Sequence, residues 1–189
     1  ITDAGANQLY ELNEPATDGG IPTQIAPASP RLFEDVSRLL QHVHHETPFD
    51  DFERQPLMPR RLSQLGPGVS WFDVDGDGAE DLIIGGGKGG RMACYRNDRR
   101  GGFQPMTGPS MDGVMSRDQT TVLGWTTSKG GTGLLSGFAS YEDGQTNERD
   151  VLQFTLAGRK GDSIVSGGPA SCGPLALGDL DGDGDLDLF

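Results

Sequence analysis

One nine-residue pattern constrains this chain more than anything else in it. Asp73-Val-Asp75-Gly-Asp77-Gly-Ala-Glu-Asp81 recurs as Asp179-Leu-Asp181-Gly-Asp183-Gly-Asp-Leu-Asp187. Both read Asp-x-Asp-Gly-Asp-Gly-x-x-Asp, with carboxylates at loop positions 1, 3, 5 and 9 and glycine at position 6. At about 4 Å a pair of like charges costs roughly 1 kcal/mol even in water, and more where the dielectric is lower. Four carboxylates in one short loop therefore call for a hard cation with a preference for oxygen. Alternate side chains point inward, the position-6 glycine permits a sharp positive-φ turn, and the position-7 carbonyl, from Ala79 or Asp185, completes a Ca²⁺ ligand set. The expected ligands are Asp73, Asp75, Asp77, Ala79 and Asp81 in one loop and Asp179, Asp181, Asp183, Asp185 and Asp187 in the other. A metal-free Asp-Gly turn is the competing reading. It accounts for one Asp-Gly pair but not for four spaced carboxylates appearing twice.

The helix–loop–helix calcium site requires a bidentate Glu at position 12 and flanking helices. Position 12 from Asp73 is Ile84. The flanks, Val69-Ser-Trp-Phe and Leu82-Ile-Ile, are short β-rich runs, and Gly85-Gly-Gly ends the second. Each loop is thus expected to join two strands of a hairpin.

The two loops begin 106 residues apart (Asp73 and Asp179), and half that interval is about 53. A silent copy fits between them at 122–135, with Trp125, Thr127, Lys129 and Gly133 at the ligand positions and Gly130 as the turn glycine. Three β units at a period of 52 to 54 residues suggest a β-propeller, whose blades are four-stranded sheets. The expected class is all-β: a partial propeller of about three blades, with one short helix near the N-terminus at 34–44. Strands are expected near 68–73, 81–85, 91–97 and 102–107, and again near 120–126, 132–139, 151–157 and 162–166. The segments are 1–37 (end of a preceding blade with an insertion), 38–67 (helix and Pro-rich linker), 68–119 (blade with a Ca²⁺ loop), 120–173 (degenerate blade without metal) and 174–189 (start of a further blade with a Ca²⁺ loop).

The phrases Phe72-Asp-Val-Asp-Gly-Asp-Gly-Ala-Glu-Asp-Leu-Ile-Ile-Gly and Cys94-Tyr-Arg-Asn followed by Gly102-Phe resemble FG-GAP/VCBS-type repeats, as found in integrin α-type propellers. Together with the stretch from His45 to Gly68, they are similar to the bacterial branch related to cartilage acidic protein, the ASPIC/UnbV group. The resemblance implies that 7–12 and 32–37 are closing strands of an earlier blade. It also implies a calcium-binding, exported module. The metal-free middle copy departs from the pattern.

The chain starts with Ile and stops two residues after Asp187, and a closed propeller needs roughly four to eight blades. A segment of a longer protein is therefore expected. No apolar run approaches the ~20 residues a membrane helix requires. A net charge of −13 argues against nucleic acid, which favours a basic face. Calcium loops of extracellular modules bind at about 10⁻⁴–10⁻³ M, which suits a location outside the cell or on its surface. The two cysteines, Cys94 and Cys172, leave a single disulfide or two buried thiols open, although they fall on different blades, usually too far apart to bridge.

Other constellations carry less. His42, His44 and His45 with Glu46 end the expected helix, and His42, His45 and Glu46 would share one face, as a Zn²⁺ site could use, yet a polar helix end explains them as well, and nothing nearby supplies a further ligand. Gly85-Gly-Gly-Lys-Gly-Gly matches G-x-G-x-x-G, but a strand rather than a helix should follow, so a phosphate cradle fails. No G-x-S-x-G occurs, and Ser110, Ser136 and Ser171 lack an evident His partner. Trp71, Phe72 and Trp125 are expected in the core rather than as sugar platforms. The expected function is a non-catalytic binding, adhesion or scaffold module with a protein or carbohydrate ligand, contacted through 13–30 and 141–149. The alternative is the propeller part of a secreted polysaccharide lyase or hydrolase.

Overall fold

β-Branched and aromatic runs cut by glycine and aspartate make two consecutive four-stranded antiparallel meanders in this computed structural model. It describes residues 33–109, 111–126, 131–145, 150–155, 162–165 and 170–189. The first sheet runs β1 (Val69–Phe72), β2 (Asp81–Ile84), β3 (Ala93–Asn97), β4 (Phe103–Pro105). The second runs β5 (Gln119–Thr126), β6 (Thr132–Phe138), β7 (Val151–Phe154), β8 (Asp162–Val165). A third hairpin pairs β9 (Leu177–Gly178) with β10 (Asp187–Leu188). Every strand falls within a residue or three of its expected place. The chain divides into two units, Ile1–Asp35 and Val36–Phe189. Of the first, only 33–35 are described, so the expected strand at 7–12 and the insertion at 13–30 lie outside the described residues.

Register places the core. In β2 the side chains alternate between two faces, and both are buried. Ile83 joins Cys94, Val122, Leu134 and Phe154 in the cluster between the two sheets, while Leu82 and Ile84 meet Tyr95, with Leu40 and Phe103 beside them. Gln119, 1% exposed, stitches the sheets together: its N–H donates to Gly86 O (3.0 Å), its Oε1 accepts from Gly86 N (2.7 Å), and its Nε2 donates to Ser136 Oγ (2.8 Å).

The repeat is visible in these contacts. A Cβ at Gly124 would lie 2.0 Å from Phe72 Cγ, and one at Gly68 would lie 2.7 Å from Thr121 Cα. Thr120 Oγ1 donates to Cys172 O (3.1 Å), a separation of 52 residues. The same 52-residue step separates Phe72 from Gly124, whose added Cβ it would touch.

Several expectations are corrected. The helix at 34–44 is only a 3₁₀ turn at Ser37–Leu39, and 33–36 form no strand. Gln41 has φ +49°, which breaks the helix, and Pro48 pushes Thr47 away from the α region. Residues 42–47 instead run over the glycine-rich loop, where Thr47 N donates to Lys88 O (2.8 Å). The one α-helix among the described residues, α1 (Asp51–Arg54), lies in the expected linker, capped by Asp50, whose Oδ1 accepts from Phe52 N at 3.0 Å. Trp71 is not core: it is 50% exposed, with its ring 5.7 Å from that of Phe103. The middle hairpin exists, but Val122 pairs with Ser136, one residue beyond the partner expected from the alignment of 122–135 on 70–83. There only 127–131 separate the last paired residues, against 73–80 in the first hairpin. Thr127, Lys129 and Gly130 lie outside the described residues.

Candidate metal centre

The first acidic loop is held by its own backbone. Asp73 Oδ1 accepts from Gly76 N (2.8 Å) and Asp77 N (3.0 Å), and its Oδ2 accepts from Gly78 N (2.8 Å). Asp75 Oδ1 accepts from Asp77 N (3.1 Å), and Asp77 Oδ1 from Ala79 N (2.8 Å). Such bonds require the chain to turn twice to positive φ, at Gly76 (+77°) and Gly78 (+83°). Nothing would crowd a Cβ at Gly76; glycine is needed there for the dihedral rather than for space. Asp81 begins β2 with no solvent exposure, its Oδ2 accepting from Val74 N (3.1 Å) and its Oδ1 from Asn97 N (2.9 Å).

Carboxylate oxygens of Asp73, Asp75 and Asp81 consequently converge, all within 4.8 Å of one another. Two oxygens each about 2.3–2.6 Å from a Ca²⁺ can be at most roughly 4.6–5.2 Å apart, so the spacing of these three is compatible with one shared ion. Each carboxylate has about four acceptor sites, and the backbone bonds leave some of them for a cation. Asp77 stands outside the triad. Arg96 Nη2 donates to its Oδ2 (2.9 Å), and Arg99 Nη2 reaches its Oδ1 (3.2 Å). The bond from Ala79 N and the Arg96 contact hold its carboxyl below the usual range, and the Arg96 guanidinium is raised in turn. Arg96 Nε also lies 2.7 Å from Asp75 Oδ2.

The second loop repeats the bonds made within the first. Asp179 Oδ1 accepts from Gly182 N (2.7 Å) and Asp183 N (3.1 Å), and its Oδ2 from Gly184 N (3.0 Å). Asp181 Oδ1 accepts from Asp183 N, Asp183 Oδ1 from Asp185 N, and Asp187 Oδ2 from Leu180 N. Gly182 and Gly184 have φ of +77° and +93°. Asp179, Asp181 and Asp187 converge within 4.8 Å, and Asp183, like Asp77, stands apart. Among the described residues no basic side chain is in ion-pair contact with this loop.

Sequence spacing missed three things. Arg96 and Arg99 reach the first loop from β3 and its following turn. Asn97 locks Asp81 and also donates from Nδ2 to Glu80 O (3.1 Å). A third acidic cluster, Glu46, Asp118 and Glu142, comes from three separate segments; no linear motif could have shown it. The weighed histidines form no metal cluster among the described residues: His42 Nδ1 is 3.0 Å from Tyr95 OH, and burial together with His44 lowers its pKa. Cys94 and Cys172 are both free thiols, and burial pushes Cys94 up to about 12. Ser136 is engaged by Gln119, Ser171 by Ser140. The strand β3 follows the glycine-rich loop as expected. No helix among the described residues is long and apolar enough to cross a membrane.

No family model matches the chain, and neither does any curated protein or solved structure.

Proposed function

We propose that this chain is a calcium-stabilised segment of a β-propeller of the FG-GAP/VCBS type, acting outside the cell or at its surface as a binding, adhesion or scaffold module rather than as a catalyst. The observation that carries this reading is the duplicated carboxylate triad, Asp73–Asp75–Asp81 and Asp179–Asp181–Asp187, built by the same backbone hydrogen bonds at the same point of two hairpins. The 52-residue step between units and the two four-stranded meanders support a propeller arrangement.

When bound, Ca²⁺ offsets two of the negative charges that each loop gathers. The chain's own residues do the rest: Asp81 ties the loop to β3 through Asn97, so ordering the loop braces three strands. The face of the first sheet bearing the exposed Val69 and Trp71 is of the kind that a neighbouring blade covers. A rigid frame with loops at its rim suits recognition of a protein or carbohydrate surface.

The test is a thermal melt of wild type and Asp75→Ala with Ca²⁺ and with chelator. At about 10 mM Ca²⁺, a site of Kd about 10⁻⁴–10⁻³ M stabilises by about 1.4–2.7 kcal/mol. Wild type should melt at least about 3 °C higher in Ca²⁺, and Asp75→Ala should lose roughly half of that gain. Equal melting in Ca²⁺ and chelator would remove the calcium reading.

A further inference from the structure

β2 runs from the Asp73–Asp81 loop at one end to the Gly85–Gly90 loop at the other. At that opposite end, a cavity of about 220 Å³ is lined by Glu46, Asp118 and Glu142, with Leu62, Leu65 and Tyr141 at its sides. Each acid comes from a different segment. Glu46 lies on the extended stretch laid over the glycine-rich loop, so closely that a Cβ at Gly87 would sit 2.8 Å from Glu46 Cβ. Asp118 immediately precedes β5, and its Oδ1 accepts from Lys88 N at 2.6 Å. Glu142 is in the β6–β7 connection.

One carboxylate oxygen from each of the three lies within 4.8 Å of the other two. The Glu142 side chain is only 6% exposed, and both of its oxygens are buried without a hydrogen-bond partner. Lys88 Nζ approaches its Oε2 at 3.4 Å, an ion-pair distance without a hydrogen bond. His44 Nε2, likewise buried and without a hydrogen bond, is 3.6 Å from Glu46 Oε2. A buried carboxylate whose oxygens meet only one ammonium, at 3.4 Å, is costly. One ammonium beside three carboxylates leaves the cluster acidic.

We infer that Glu46, Asp118 and Glu142 form a divalent-cation site in this cavity, distinct from both aspartate loops. The oxygen span again matches ligands gathered around one ion, and a mainly carboxylate donor set favours Mg²⁺, Ca²⁺ or Mn²⁺ over softer metals. The ion would add a further tie between the stretch before α1 and both sheets, which Thr47 N to Lys88 O and Ala139 N to Asp118 O already bring together. Burial raises the Glu142 and Glu46 carboxyls, and the charge of Asp118 raises them further; a bound cation reverses that cost. Lys88 is a partial substitute for the ion and its competitor.

The probe is Mn²⁺, followed by electron paramagnetic resonance on the full chain carrying Asp75→Ala and Asp181→Ala, so that both loops are disabled and the result is independent of their role. That background should bind one Mn²⁺. Adding Glu142→Gln, nearly isosteric, should weaken binding by about 10- to 100-fold, whereas adding Lys88→Met should tighten it several-fold. Urea midpoints verify that each variant is folded. If the background binds no Mn²⁺, or Glu142→Gln leaves its binding unchanged, the inference is wrong. It is equally wrong if Lys88→Met lowers the urea midpoint without tightening Mn²⁺, since Lys88 would then be the cluster's own counter-ion.

Discussion

Gly124→Ala tests the contact through which one repeat receives the next. The added Cβ would lie 2.0, 2.3 and 2.4 Å from Phe72 Cγ, Cδ1 and Cβ, against the roughly 3.5–4.0 Å of a carbon–carbon contact. Phe72 must therefore move by about 1.5 Å, but its backbone is pinned by pairing with Asp81 and by the loop that starts at Asp73. Overpacking of this kind costs about 2 kcal/mol, or roughly 4–8 °C in Tm for a unit of this size. Phe72→Ala alone should cost about 2 kcal/mol, less than a fully buried phenylalanine because Phe72 is half-buried. With the ring gone the clash is gone, and Gly→Ala at an ordinary negative-φ position is favourable by about 0.4–1 kcal/mol. Gly124→Ala should thus change sign, from destabilising in wild type to neutral or stabilising in Phe72→Ala, a coupling of at least about 1.5 kcal/mol. Urea denaturation of the four proteins measures it. Additive losses would show that Phe72 does not rest on Gly124 and would undo the inter-repeat packing.

Arg96→Met removes the guanidinium that sits 2.7 Å from Asp75 and 2.9 Å from Asp77. Because such an exposed pair is worth at most about 1 kcal/mol, calorimetry should show Ca²⁺ affinity at the first loop rising up to about five-fold, and unchanged affinity would mean Arg96 does not compete. Burial alone would raise the Asp51 carboxyl, but bonds from Ser63 Oγ, Ser63 N (3.0 Å) and Leu62 N (2.5 Å), with the Arg61 charge, hold it below its ordinary value. A depressed folded-state pKa gives stability that is present above the unfolded value near 3.8 and lost as pH falls through the folded one. The gap in urea midpoint between wild type and Asp51→Asn should accordingly be constant near neutrality and shrink at acid pH; a gap independent of pH refutes this. Arg117, 5% exposed, makes a two-pronged ion pair with Asp143 at 2.6 and 3.2 Å. Asp143→Asn should cost about 2 kcal/mol, below the fully buried range because Asp143 is partly exposed, read as a shift in urea midpoint.

Strand positions were legible because each β run is bounded by glycine, aspartate or proline, and the 52-residue step survives even where the middle copy has lost its acids. The loop geometry was legible too, since Asp73 and Asp179 reach the same backbone N–H groups through the same glycine turns. Asp77 and Asp183, which alternation also counts inward, each accept from the N–H two residues on and stand apart from the triad. The helix expected at 34–44 failed because helical periodicity says nothing of the glycine-rich loop, whose missing side chains let residues 45–47 lie flat against it. Trp71 looked like core from its strand alone, but which face of a sheet is covered depends on what packs there. Glu46, Asp118 and Glu142 were invisible for a related reason: three loops bring them together, and none carries a pattern.

The most direct test of the calcium account is calorimetric titration of Ca²⁺ into wild type, Asp75→Ala, Asp181→Ala and the double variant, each first stripped with chelator. Each single substitution should remove one binding event of Kd about 10⁻⁴–10⁻³ M, and the double variant should lose both. Identical isotherms for all four proteins would mean that these carboxylates are turn residues held by their own backbone and bind no calcium.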